Sequence, residues 1–120
     1  MSLRDILNSV VNSVDGALSA MVMAYDGIPI DEAIREESGM DLQLLSVEYA
    51  TILKEIKRAV EVIKAGEMEE VSITTTQIHV LVRVLSEDLF AALIMRREGD
   101  YGKGRYLLKL NSNAMAVELS

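Results

Sequence analysis

Apolar residues recur at spacings of three and four at the start of the chain. Leu3, Ile6, Leu7, Val10, Val11 and Val14 form one stripe, with Asn8, Asn12 and Ser13 off it. That period predicts an amphipathic helix over residues 2 to 15. Ser2 suits the N-cap, Asp5 completes a near capping box, and Gly16 suits the residue that ends a helix. The period then changes. Leu18 to Ala24 is almost continuously apolar and too short for an exposed helix. Asp26-Gly27 follows as a hairpin signal, and Ile28-Pro29-Ile30-Asp31 reads as the returning strand. Pro29 has no N–H to give a ladder, which puts that strand at a sheet edge.

Helical spacing resumes from Asp41 to Ala65, closed by Gly66. At 100° per residue, Leu42, Leu45, Tyr49, Ile52, Leu53, Ile56, Ala59, Val60 and Ile63 fall within about 120° of arc and form the expected core face. Leu44, Val47 and Val62 fall outside it, beside Glu48, Thr51 and Glu55, so this helix keeps apolar residues for a second contact. Three strands follow, about Glu69 to Thr75, Ile78 to Ser86 and Leu89 to Arg96. The last two are apolar at nearly every position, as strands covered on both faces are. The first is β-branched and polar, like an edge. A final helix, about Gly102 to Leu119, carries Tyr106, Leu107, Leu110, Ala114 and Val117 on one side. The order α-β-β-α-β-β-β-α predicts a single α+β domain, residues 1–120, around one antiparallel sheet covered by helices on both faces.

Composition narrows the function. Nineteen acidic against 12 basic residues, a net charge of −7, disfavour a grip on nucleic acid or on an anionic membrane. The N-terminus lacks the cationic flank and apolar core of a signal peptide, and no run approaches the ~18 apolar residues of a membrane span. The expectation is a soluble cytoplasmic protein with no nucleic-acid or membrane partner. Without cysteine there is no disulfide, thiolate nucleophile or cysteine-bound metal. The single His79 lies mid-strand among aliphatic residues and reads as a satisfied sheet histidine rather than a general base. Asp26, Asp31 and Glu32 lack calcium-loop spacing, and one histidine alone builds no zinc site. No catalytic residue, metal or cofactor is therefore assigned.

Two charged stretches remain. Gly99-Asp100-Tyr101-Gly102-Lys103-Gly104-Arg105 sets glycines and a lysine before a helix but lacks P-loop spacing. A strand-to-helix connection needing positive φ is the simpler reading of those glycines. With Arg96, Arg97 and Lys109 it makes the one basic end of an acidic chain, read as a solvated loop and helix face. The cluster Asp31, Glu32, Glu36, Glu37 and Asp41 leads into the long helix. It reads as solubility plus favourable charge at that helix's N-terminus, with a basic partner as the alternative.

Val14-Asp15-Gly16-Ala17, followed by Met21-Val22-Met23-Ala24-Tyr25-Asp26-Gly27-Ile28-Pro29-Ile30, resembles the opening of the Roadblock (dynein light chain) domain. There a DG-hydrophobic-Pro/Ala hairpin tip follows a short first helix. Glu69 to Ile73 and Leu89 to Ile94 resemble that family's three-strand meander. Gly102 to Leu108 is similar to the opening of the last helix in its bacterial, MglB-like members. The resemblance spans essentially the whole chain. It implies a five-stranded antiparallel sheet with the long second helix on one face and the terminal helices on the other. It implies a homodimer that pairs the third strand and second helix with their symmetry mates. It also implies a non-enzymatic regulator or scaffold of a Ras-like small GTPase, up to GTPase activation, with the paired second helices facing the GTPase.

Lys54, Lys57, Arg58 and Glu61, exposed on that helix, are then the candidate GTPase contact. Leu44, Val47, Thr51, Val62, Val71, Ile73 and Thr75 are the candidate dimer interface. Apart from the resemblance, an open β-branched edge and stray apolar helix residues both need cover. Self-pairing at a two-fold axis supplies it, and so would a bound peptide. The alternative function is a structural adaptor that assembles a larger complex with no effect on nucleotide turnover. A small-molecule-binding domain is weakened by the few polar residues converging on any apolar cavity.

Overall fold

The computed structural model describes all 120 residues. Its elements are α1 (Leu3–Ser13), β1 (Ala17–Ala24), β2 (Pro29–Ile34), α2 (Leu42–Val62), β3 (Glu70–Thr74), β4 (Ile78–Val84), β5 (Leu89–Arg96) and α3 (Tyr101–Glu118). The strands form one sheet in the order β2-β1-β5-β4-β3, antiparallel throughout. The expected α+β order and five-stranded sheet are both present, with β2, begun by Pro29, at one edge and β3 at the other.

Two cores explain why the central strands do not alternate. On one face, α1 packs over β1 and β2 and α3 over β4 and β5, burying Leu7, Val11, Val22, Leu81, Leu93 and Met115 together. On the other face, Leu53 and Ala50 of α2 bury Met21, Val80, Phe90, Ala92 and Ile94. A strand covered on both sides needs apolar residues at both parities.

Helix starts follow the sequence signals closely. The Ser2 hydroxyl accepts the Asp5 N–H at 3.1 Å and the Asp5 carboxylate accepts the Ser2 N–H at 3.2 Å, a complete capping box. Asp41 accepts the Leu44 N–H at 3.0 Å to cap α2, and Asp100 accepts the Lys103 N–H at 3.2 Å to cap α3. After α1 the chain reverses at Gly16, φ +84°, and there crosses the β5–α3 connection. A Cβ on Gly16 would stand 2.6 Å from the Gly99 Cα.

Four expectations are corrected. The long helix ends at Val62, and the first left-handed residue is Lys64 (φ +55°) rather than Gly66. The core face of α2 centres on Ser46, Ala50 and Leu53, leaving Ile52, Ala59 and Ile63 exposed. In α3 the buried positions are Gly104, Leu108 and Met115, while Tyr106, Leu110, Ala114 and Val117 face solvent. Gly99, Gly102 and Gly104 do not lie at positive φ. Gly99 and Gly104 instead admit close neighbours, the Asp15 carbonyl at 2.7 Å and the Leu93 side chain at 3.0 Å from a notional Cβ.

Candidate interaction surface

The side of α2 that leans toward β3 is uncovered and partly apolar, with a strand edge beside it. Val71 and Ile73 of β3 point to the α2 face and are half-buried with Leu45 and Tyr49. Ile56, Val60, Met68 and Val71 line an open cleft of about 520 Å³ where the end of α2 overhangs β3. Beyond them on the same flank stand Ile52, 44% exposed, and Ile63, 70% exposed. Leu44, Thr51 and Val62 form the adjoining crown of the helix, and Thr75 ends the strand, all exposed. Val47 lies elsewhere. Its Cγ1 is 3.6 Å from a Cβ built on Gly27, which puts it over the β1–β2 turn at the far flank. Sequence spacing missed Ile52 and Ile63 because it assigned both to the core.

Of the four charged candidates, Lys54, Arg58 and Glu61 are exposed, and Arg58 has only a neighbouring partner, Glu55 at 3.6 Å. Lys57 is tied down. Its Nζ donates to the Glu87 carbonyl at 2.7 Å and lies 5.2 Å from the centre of the Tyr25 ring. Tyr25 packs against Phe90, and burial pushes its hydroxyl up to about 12. Lys57 therefore braces the β4–β5 turn against α2, leaving Lys54, Arg58 and Glu61 as the exposed charges among the four candidates.

The other singled-out residues are satisfied structurally. His79 is buried; its Nε2 donates to the Arg97 carbonyl at 3.0 Å, which leaves Nδ1 to accept from the Thr74 hydroxyl at 2.8 Å. Its ring also packs on Tyr101. In the acidic cluster, Asp31 pairs with Arg4, Glu36 with Arg96, and Asp41 caps α2. No group of three His, Cys, Asp or Glu side chains is placed to hold a metal ion, and no helix is long and apolar enough to cross a membrane.

Glu70 accepts from Arg105 Nε at 2.9 Å and Nη2 at 2.8 Å, clamping the start of β3 to α3. Those bonds hold its carboxyl below the ordinary 4.5. A carboxyl depressed in the folded state stabilises above its unfolded value, and that contribution is lost as pH falls through the folded one. Arg105→Met is thus expected to destabilise at neutral pH and to lessen the loss of stability on acidification below about pH 4. Denaturant midpoints across that range check it; parallel curves for the two proteins would show that the clamp adds nothing.

No family model matches the chain, and no curated protein does. Solved structures do match. MglC from Myxococcus xanthus is 39% identical over 98% of this chain and 99% of that one, with a TM-score of 0.72. The Roadblock/LC7 domain from Streptomyces avermitilis is 14% identical over 99% and 98%, with a TM-score of 0.83. The gliding protein MglB from Thermus thermophilus is 15% identical over 97% and 87%, with a TM-score of 0.85. At 14 and 15% identity the last two speak to the fold alone.

Proposed function

Because the chain belongs to the Roadblock/LC7 family, we propose that it is a homodimeric, non-enzymatic regulator or scaffold in a Ras-like small-GTPase system. The observation that carries this reading is the apolar flank of α2 running onto an unpaired strand edge. An open edge beside exposed isoleucines is an aggregation hazard unless something of matching shape covers it. A second copy turned about a two-fold axis offers the same edge and the same flank. In that dimer Leu44, Thr51, Val62, Val71, Ile73 and Thr75, joined by Ile52 and Ile63, form the contact. The two α2 crowns then stand side by side.

The side of α2 turned away from that contact is the proposed GTPase-facing surface, through Lys54, Arg58 and Glu61. A long, rigid helix pressed on a switch loop orders that loop, which can place the GTPase's own catalytic groups with none donated in trans. Arg58 is the one arginine on α2, and its ion pair with Glu55 one turn back along the helix suits surface recognition better than insertion into an active site. Lys54→Glu/Arg58→Glu is expected to weaken the complex with the cognate GTPase about tenfold or more at unchanged fold. Arg58→Ala alone is expected to leave stimulated GTP turnover within about tenfold of wild type, against the ~10³-fold scale of an arginine finger. A loss of that scale from Arg58→Ala would refute the switch-ordering mechanism. An unaffected double reversal would remove that side of α2 as the contact.

A second reading, a structural adaptor, is favoured by the uncovered apolar side of α3, which gives the chain one more surface than a dimer uses. The same assay separates the two. A complex that leaves GTP turnover unchanged selects the adaptor.

A further inference from the structure

We propose that the C-terminal half of α2, residues 54–62, is an arm that docks on the sheet and releases from it independently of the rest of the fold, with Lys57 as its latch. The buried residues of α2, Ser46, Ala50 and Leu53, all belong to its first half. From Lys54 to Val62 none is buried. Two open clefts undercut this half. The one of about 520 Å³ already described lies beside Ile56 and Val60. Another, of about 430 Å³, runs from Lys57 and Glu61 to Val84, Leu85 and Glu87. Met68 and Arg83 line both, so the two clefts adjoin beneath the arm. Beyond Val62 the chain runs through residues 63–69 without helix or strand. That connection turns at two left-handed residues, Lys64 (φ +55°) and Gly66 (φ +92°). Short helices are marginal by themselves in water, so an arm that leaves the sheet also unwinds.

One side chain ties the arm down. Lys57 Nζ donates to the Glu87 carbonyl at 2.7 Å and stands 5.2 Å from the centre of the Tyr25 ring, within reach of a cation–π contact. The Glu87 carboxylate is farther off, at 3.9 Å. The anchor is itself fixed. The Tyr25 N–H donates to the Asp88 carbonyl at 3.3 Å, the Leu85 and Ser86 N–H groups donate to the Leu89 carbonyl, and the Tyr25 ring packs on Phe90. Elsewhere the arm is held loosely: Ile56 and Val60 are only half-buried, and Arg58 pairs with Glu55 of the same helix. A segment with little buried apolar area and one polar tie opens without global unfolding. Its release displaces Ile56 and Val60 together with Arg58 and Glu61, so one equilibrium governs both flanks of α2. Whatever takes the Glu87 carbonyl or neutralises Lys57 shifts it toward release, and whatever covers the arm shifts it toward docking. A consequence for a GTPase rests on the function proposed above; the equilibrium itself belongs to the single chain.

The test is residue-resolved amide hydrogen exchange of the full chain carrying Ser72→Pro, with the wild type alongside. The blocked β3 edge removes shielding of the arm by a second copy, so failure of the latch and failure of the dimer are told apart. Amides of residues 54–62 are expected to be about 100-fold or more less protected than those of β1, β4 and β5. Lys57→Met keeps the length of the side chain but neither donates nor carries charge. It is expected to lower the protection of the arm about tenfold further, with residues 42–53, the central strands and the melting midpoint unchanged. Lys57→Arg, which still donates and stacks on Tyr25, is expected to keep the arm as it was. Glu87→Ala is expected to do the same, because the acceptor is a backbone carbonyl. Equal protection of the two halves of α2 overturns the proposal. So does a Lys57→Met effect that spreads over the whole chain, which marks an ordinary stabilising contact, that misses the arm, or that Glu87→Ala matches.

Discussion

Replacing Gly16 by alanine is expected to lower the melting midpoint by roughly 10 °C or more, at about 3–6 °C per kcal/mol for a domain of this size. Two effects add. The residue sits at φ +84°, where a Cβ costs about 1–2 kcal/mol. That Cβ would also stand 2.6 Å from the Gly99 Cα and 3.3 Å from its nitrogen. Both are backbone atoms, so no rotamer change relieves the clash and the crossing strands of chain must separate. Separation breaks two bonds that tie the crossing: Arg96 N–H to the Gly16 carbonyl at 2.8 Å, and Asp100 N–H to the Asp15 carbonyl at 2.9 Å. Asp100 is the N-cap of α3, so the disturbance reaches that helix. A total near ~3 kcal/mol belongs to the large end of single substitutions. Gly39→Ala is the control. Its φ is +81° but a Cβ there meets nothing within 4 Å, so only the backbone strain remains. Equal losses for the two variants would show that the Gly16–Gly99 crossing gives way freely.

The parts of this fold that were legible in the sequence are those where one residue type has one physical use. Ser2 and Asp5 bond each other's backbone, Pro29 must avoid a ladder, and doubly covered strands must be apolar at both parities. The helices α2 and α3 were harder because polarity hid burial. Ser46 is buried on α2, yet its hydroxyl donates to the Leu42 carbonyl at 2.7 Å, so it enters the core with its hydrogen bond made. Asn111 and Ser112 on α3, only half-buried, likewise bond the Leu107 and Lys109 carbonyls, both at 2.8 Å. Each breaks the apolar spacing while costing the packing little. Gly104 has no side chain to register in any periodicity, yet it is where α3 comes closest to Leu81, Leu93 and Met95. With those positions invisible, the more regular rows Ile52–Ala59–Ile63 and Tyr106–Leu110–Val117 stood out, and both face solvent. A surface row as regular as a core row is what a contact helix requires, so the same misreading exposes the candidate interfaces. Lys57 was legible as a charge but not as a brace, because its partners Tyr25 and Glu87 are distant in sequence.

Ser72→Pro is expected to convert a dimer into a monomer with the fold retained, shifting the dimer dissociation constant about 100-fold or more. The choice of residue follows from the ladder. Thr75 N–H donates to the Ile78 carbonyl at 2.9 Å and Val84 N–H to the Glu69 carbonyl at 3.0 Å. With Ile73 opposite Val80, the alternation of an antiparallel pair turns the N–H groups of Val71 and Ile73 into β4. Those of Glu70, Ser72 and Thr74 point to the open edge. Proline at Ile73 would therefore break β3 from its own sheet, whereas proline at Ser72 leaves the β3–β4 ladder whole and removes an edge donor together with the hydroxyl bonded to Tyr101. Across a two-fold axis the change counts twice. Two lost bonds at ~1 kcal/mol each, with two proline rings in the way of the approaching strands, make up the expected shift. Ser72→Ala separates the effects, since it loses only the hydroxyl that meets Tyr101 at 2.8 Å and should stay dimeric. Ile52→Glu attacks the same assembly from α2 and should also yield monomer, because a carboxylate would be desolvated in the helix–helix contact. Sedimentation at micromolar concentration reads all four proteins. A wild-type monomer, or a Ser72→Pro protein as dimeric as wild type, would remove the two-fold platform and with it the shared α2 surface offered to a GTPase.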